Sequence, residues 1–107
     1  MRVEPLTVEG PIGPLSADLT RPARSRAALV LAHGAGAGYR HATMVALSEA
    51  LAGVGIATLR LNFPFPEAGR RRVDPPAAAV AAIVAAAGAL AARSAGLPLC
   101  IGGHSFG

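Results

Sequence analysis

Six apolar residues in a row, Ala27 to Ala32, run directly into a loop in which Gly and Ala alternate from Gly34 to Gly38. A short apolar run with no polar alternation suits a strand buried on both faces, and such strands belong to parallel sheets covered by helices. Parallel neighbours need long crossovers, and the rest of the chain supplies them. Residues 40–52 read as a helix, with Met44, Leu47 and Leu51 at spacings of three and four and Gly53 as a stop. Gly55 to Leu61 reads as the next strand. Pro75 and Pro76 suit the first turn of a second helix. In it Val80, Ile83, Val84 and Leu90 fall within an arc of roughly 120°, so this stripe is expected on the sheet and the Ala-rich side away from it. Leu97 to Ile101 reads as a last strand.

The order from residue 27 is therefore strand, helix, strand, helix, strand. Before it, residues 3–9 and 14–19 read as two strands joined by a turn at Gly10-Pro11-Ile12-Gly13-Pro14. The expected fold class is α/β: a three-layer sandwich with a mostly parallel sheet and an antiparallel N-terminal edge. At 107 residues the chain makes one domain at most, and 52% apolar with 15% charged residues is a globular composition.

The charge balance is +4, from ten basic residues against six acidic ones. All ten are Arg, and only Arg70-Arg71-Arg72 cluster, so no basic face for nucleic acid is expected. The uncharged stretch from Pro75 to Ala92 reaches membrane-spanning length but is mostly Ala, so no membrane partner is expected. The start, Met1-Arg2-Val3-Glu4-Pro5, does not read as a signal peptide, and a cytoplasmic location is the default. The single Cys100 forms no disulfide framework and reads as a small buried hydrophobe. His33, His41 and His104 lack metal-ligand spacing, so neither a metal nor any other cofactor is expected.

The chemistry concentrates at residues 103–107, Gly103-His104-Ser105-Phe106-Gly107, a G-x-S-x-G placed directly after a strand. A serine on a sharp strand-to-helix turn has its Oγ pushed out at the sheet's carboxyl edge, and glycines two residues either side relieve the crowding. Such a serine needs two backbone N–H donors for the tetrahedral oxyanion. One belongs to the residue after it, Phe106. The other is expected from the loop after the first buried strand, where Gly34 and Ala35 are the candidates. Gly36 and Arg60 are candidates for substrate contact. Arg60, at a strand's carboxyl end, can equally pair with Glu67 or Asp74. His33 can polarise the oxyanion loop or hold its shape by hydrogen bonding, and His41 reads as a surface or helix-start residue. A phosphate-cradling G-x-G-x-x-G fails, because its last position falls on Tyr39 or on His41.

Leu31 to Gly38, then Leu59-Arg60-Leu61-Asn62-Phe63-Pro64-Phe65 with Glu67 to Arg71, Asp74-Pro75-Pro76, and Ile101-Gly102-Gly103 before Ser105, together carry a likeness. In these residues the chain resembles the α/β-hydrolase superfamily, and within it the bacterial branch related to KANL3/Tex30-type and dienelactone-hydrolase-like proteins. The resemblance covers about residues 27–107. It implies a serine hydrolase with Ser105 as nucleophile, acting on an ester or similar acyl bond of a small-molecule substrate. In that fold the triad acid and His follow the serine, and only Phe106 and Gly107 do so here. The chain is therefore expected to be the N-terminal part of a single hydrolase-like domain, ending at the nucleophile elbow and inert alone. The alternative is a non-catalytic hydrolase-like scaffold used for interaction. Substrate identity and oligomeric state are not encoded in these residues.

Overall fold

A computed structural model describes residues 1–10, 13–33, 38–63 and 76–103. Within them, β1 (Arg2–Gly10), β2 (Gly13–Arg21), β3 (Ala27–Ala32), β4 (Ile56–Leu61) and β5 (Leu99–Gly103) form one sheet in the order β1-β2-β4-β3-β5. Helix α1 spans Ala42–Ala52 and α2 spans Pro76–Arg93. β1 and β2 pair antiparallel along their full length, and β2 pairs antiparallel with β4. β3 pairs parallel with both β4 and β5. The expected class and the antiparallel N-terminal edge are both found.

The pleat divides the sheet's side chains between two faces. Ala28, Val30 and Ala32 of β3, Leu59 and Leu61 of β4, and Leu15, Ala17 and Leu19 of β2 share the main core with α2. Thr58 and Arg60 of β4 and Asp18 and Thr20 of β2, also buried, alternate with them and therefore lie on the other face. There α1 packs on β4 and β2.

In both helices the buried stripe coincides only in part with the one the large residues suggest: Met44 and Leu90 are buried and Ile83 packs partly buried against the core. In α2 the buried positions are Ala79, Ala82, Ala86 and Leu90, whereas Val80 and Val84 are 58% and 63% exposed. In α1 they are Met44, Ser48 and Ala52, with Leu47 exposed. Small side chains let a helix axis approach a flat sheet closely, and the close contact recovers dispersion energy that a bulkier stripe would forfeit. The Ala side of α2 is thus its packing face. Replacing Ala86 by Leu is expected to cost about 1–3 kcal/mol, and replacing Val84 by Ser less than about 0.5 kcal/mol. Urea unfolding of the two variants in the full-length protein checks this, and the opposite order would reverse the orientation of α2.

Local boundaries shift for identifiable reasons. His41 is the N-cap of α1, its Nδ1 accepting the Thr43 N–H at 3.2 Å. Gly53 stays right-handed, and the left-handed residue that turns the chain into β4 is Gly55, at φ +85°. β5 starts at Leu99, not Leu97, because the Leu97 N–H closes a turn onto Ser94 and Pro98 has no N–H to give. The Pro98 carbonyl instead accepts the Ala28 N–H at 2.9 Å, which sets the register with β3. β5 lies at the sheet's edge, so Leu99, Cys100 and Ile101 are exposed. Cys100 is therefore not the buried hydrophobe that its apolar neighbours suggest.

Candidate functional site

The three parallel strands end at one edge of the sheet, the edge where open α/β sheets bind ligands. Ala32, the last residue of β3, is the register partner of Gly103, the last of β5. Parallel neighbours run about 4.8 Å apart. The chain thus leaves both strands side by side, toward residues 34–37 from one and 104–107 from the other. Of the candidate residues, Gly34, Ala35, Gly36, Ser105 and Phe106 lie outside the described residues, as do Glu67 and Asp74.

His33, directly after β3, is fully buried. Its Nε2 accepts the Phe63 N–H at 3.2 Å, and the two rings meet edge to face at 4.8 Å. A nitrogen that accepts carries no proton, so the neutral ring is protonated at Nδ1. His33 ties the end of β3 to the chain leaving β4 through this bond.

Arg60 is 3% exposed, and its cross-strand register partner is Asp18 of β2, 4% exposed. Arg60 Nη2 lies 3.6 Å from Asp18 Oδ2. Arg60 Nη1 donates to the Tyr39 carbonyl at 3.0 Å. Arg40, more than half exposed, places a two-pronged hydrogen bond on the same carboxylate, Nε to Oδ2 at 2.8 Å and Nη2 to Oδ1 at 3.1 Å. Its guanidinium also stands 5.0 Å from the centre of the Tyr39 ring, a cation–π distance. Burial pushes the Arg60 guanidinium below its ordinary pKa and Asp18 works against that, while the hydrogen bond to Asp18 raises Arg40. Both arginines stay charged, so one carboxylate serves two cations.

Asp18, Tyr39, Arg40 and Phe63 are members of this edge that the sequence reading did not select. The signal for Asp18 was present. An acid at an inward position of Ser16-Ala17-Asp18-Leu19-Thr20 needs a cation, and Arg60 is a cation set within an apolar strand. Among the described residues, no three His, Cys, Asp or Glu side chains group as a metal ion requires. No helix among them is long and apolar enough to cross a membrane.

A model of the alpha/beta hydrolase domain family matches residues 25–107. The chain belongs to that family. Its fold also matches solved structures along nearly its whole length. An α/β serine hydrolase without a lid from Xanthomonas campestris is 24% identical with a TM-score of 0.86, over 100% of this chain and 52% of that one. An α/β serine hydrolase homologue from Coxiella burnetii is 23% identical with a TM-score of 0.83, over 96% of this chain and 52% of that one. A dienelactone hydrolase from Anabaena variabilis is 19% identical with a TM-score of 0.81, over 97% and 52%. The chain thus spans about half the length of these structures. No curated protein matches it.

Proposed function

We propose that residues 1–107 are the N-terminal part of one α/β-hydrolase domain and carry its nucleophile and oxyanion loop. The observation that carries this reading is the Ala32–Gly103 register pair, which starts the two loops side by side at the carboxyl edge. In this reading Ser105 Oγ attacks the carbonyl carbon of an ester or similar acyl bond, and its proton passes to a His contributed from beyond residue 107. The carbonyl oxygen becomes negative and is held by the N–H groups of Phe106 and of Ala35 or Gly34. The alcohol leaves with the proton, and water then hydrolyses the acyl-enzyme by the same steps in reverse order. Gly36 is the loop position assigned to substrate contact.

Among the described residues β5 has no neighbour on its outer side, and Leu99 and Ile101 are exposed, which supports the domain assignment, since further strands and their helices would cover this edge. The segment from Leu59 to Phe65 supports the KANL3/Tex30-type branch. The exposed Cys100 thiol fits a reducing, cytoplasmic compartment. The partner is a small acyl compound, with neither nucleic acid nor membrane required.

A fluorophosphonate probe tests the reading. The full-length protein is expected to label at Ser105, located by mass spectrometry of the modified peptide, and the 107-residue chain alone to show no ester turnover. Absence of label at Ser105 in the full-length protein would leave the non-catalytic scaffold as the better account.

A further inference from the structure

Two bolts hold the chain on either side of residues 34–37, and both run to β4 or the chain just after it. On the entering side, His33 accepts the Phe63 N–H. On the leaving side, Arg60 holds the Tyr39 carbonyl while Asp18 holds both Arg60 and Arg40. This second bolt spans three pieces of chain: β2, β4 and the segment before α1. The forked guanidinium serves a carboxylate and a backbone carbonyl from two separate nitrogens, whereas a lysine ammonium would have to serve both from one atom on a flexible stem. Fold stability alone does not call for the arrangement, because well-packed apolar residues commonly replace a buried ion pair without loss. What the pair does that an apolar pair cannot is hold the Tyr39 carbonyl.

We propose that Arg60 is a positioning residue: with Asp18 and Arg40 it fixes the stem at residues 39–40, and so sets where the preceding backbone N–H groups stand when the acyl oxygen turns negative. This rests on the reading of Ser105 as nucleophile and of Gly34 or Ala35 as oxyanion donor. It also decides between the two roles the sequence left open for Arg60. A guanidinium that is 3% exposed, with one nitrogen on Tyr39 and another beside Asp18, does not present itself to a substrate. Oxyanion donors act by standing ready before the charge develops, and a misplacement of about 1 Å costs about 100-fold in rate. Because they meet the charge only in the transition state, a loosened stem lowers kcat and leaves KM in place.

Arg60→Lys in the full-length protein tests this, with p-nitrophenyl acetate as substrate and active sites counted by fluorophosphonate titration. The expected result is a fall in kcat of about 10- to 100-fold with KM within about twofold of the parent. A raised KM at unchanged kcat would make Arg60 a substrate contact and overturn the proposal, as would no change in either constant. If Arg60→Lys does not fold, Arg40→Gln decides, since its side chain is 59% exposed and only the outer part of the bolt is cut. A fall in kcat at constant KM supports the proposal, and unchanged kcat refutes it. If Ser105 takes no label at all, the hydrolase reading fails separately, and amide exchange still decides whether the stem is held. Arg40→Gln is then expected to speed exchange of the His41 amide, bonded to the Gly38 carbonyl, by about tenfold while Leu59 in β4 is unaffected. Equal His41 rates in parent and variant would show that the bolt holds nothing.

Discussion

Ser105→Ala in the full-length protein is expected to lower turnover of a small activated ester by at least about 10⁴-fold. The size follows from what the hydroxyl does. In the proposed reading, ester cleavage with it is two acyl transfers through a covalent intermediate; without it, water must attack directly. The donors around the oxyanion would still act, so a residue of catalysis over the uncatalysed rate persists. The loss is expected with an unchanged circular-dichroism spectrum, because the substitution removes a single oxygen atom and adds none. A variant that keeps more than about a tenth of the parent activity would remove Ser105 from the mechanism.

The architecture could be read from residue types because burial on two faces leaves a recognisable mark. Ala27 to Ala32 has no polar position to turn toward water, so it had to lie inside the sheet, and it lies between β4 and β5. The adjacency of β3 and β5 followed from the chemistry expected of the loops that leave them. Helix orientation was less accessible. In α2, periodicity sorts large residues from small ones, but which stripe meets the sheet depends on how closely the backbones approach, and Ala82 and Ala86 allow an approach that Val84 does not. Cys100 has apolar neighbours in sequence, yet its exposure is set by β5 standing at the edge. The Asp18–Arg60 pair depends on the register between two strands far apart in the chain. The sequence reading offered Arg60 two acids, Glu67 and Asp74, and only the fold brings Asp18 to it.

Asp18→Ala is expected to destabilise the full-length protein by about 3–5 kcal/mol, the usual cost of leaving one member of a buried ion pair behind. Arg60 would keep its charge at 3% exposure with the Tyr39 carbonyl as its named partner, and Arg40 would swing to water. Asp18→Asn is expected to cost less, because the amide oxygen still accepts a hydrogen bond although the charge attraction is gone. The double variant Asp18→Ala with Arg60→Leu separates the pair's own contribution from the penalty of breaking it. If the penalty is an unpaired buried cation, the double variant regains most of the loss, since apolar replacement of a whole buried pair is close to neutral. Midpoints of urea unfolding at constant slope measure all three. A loss below about 1 kcal/mol for Asp18→Ala would mean that the Arg60 guanidinium reaches water when released. The stem at Tyr39 would then move with it, and the rate effect assigned to the bolt would have to appear in that variant as well.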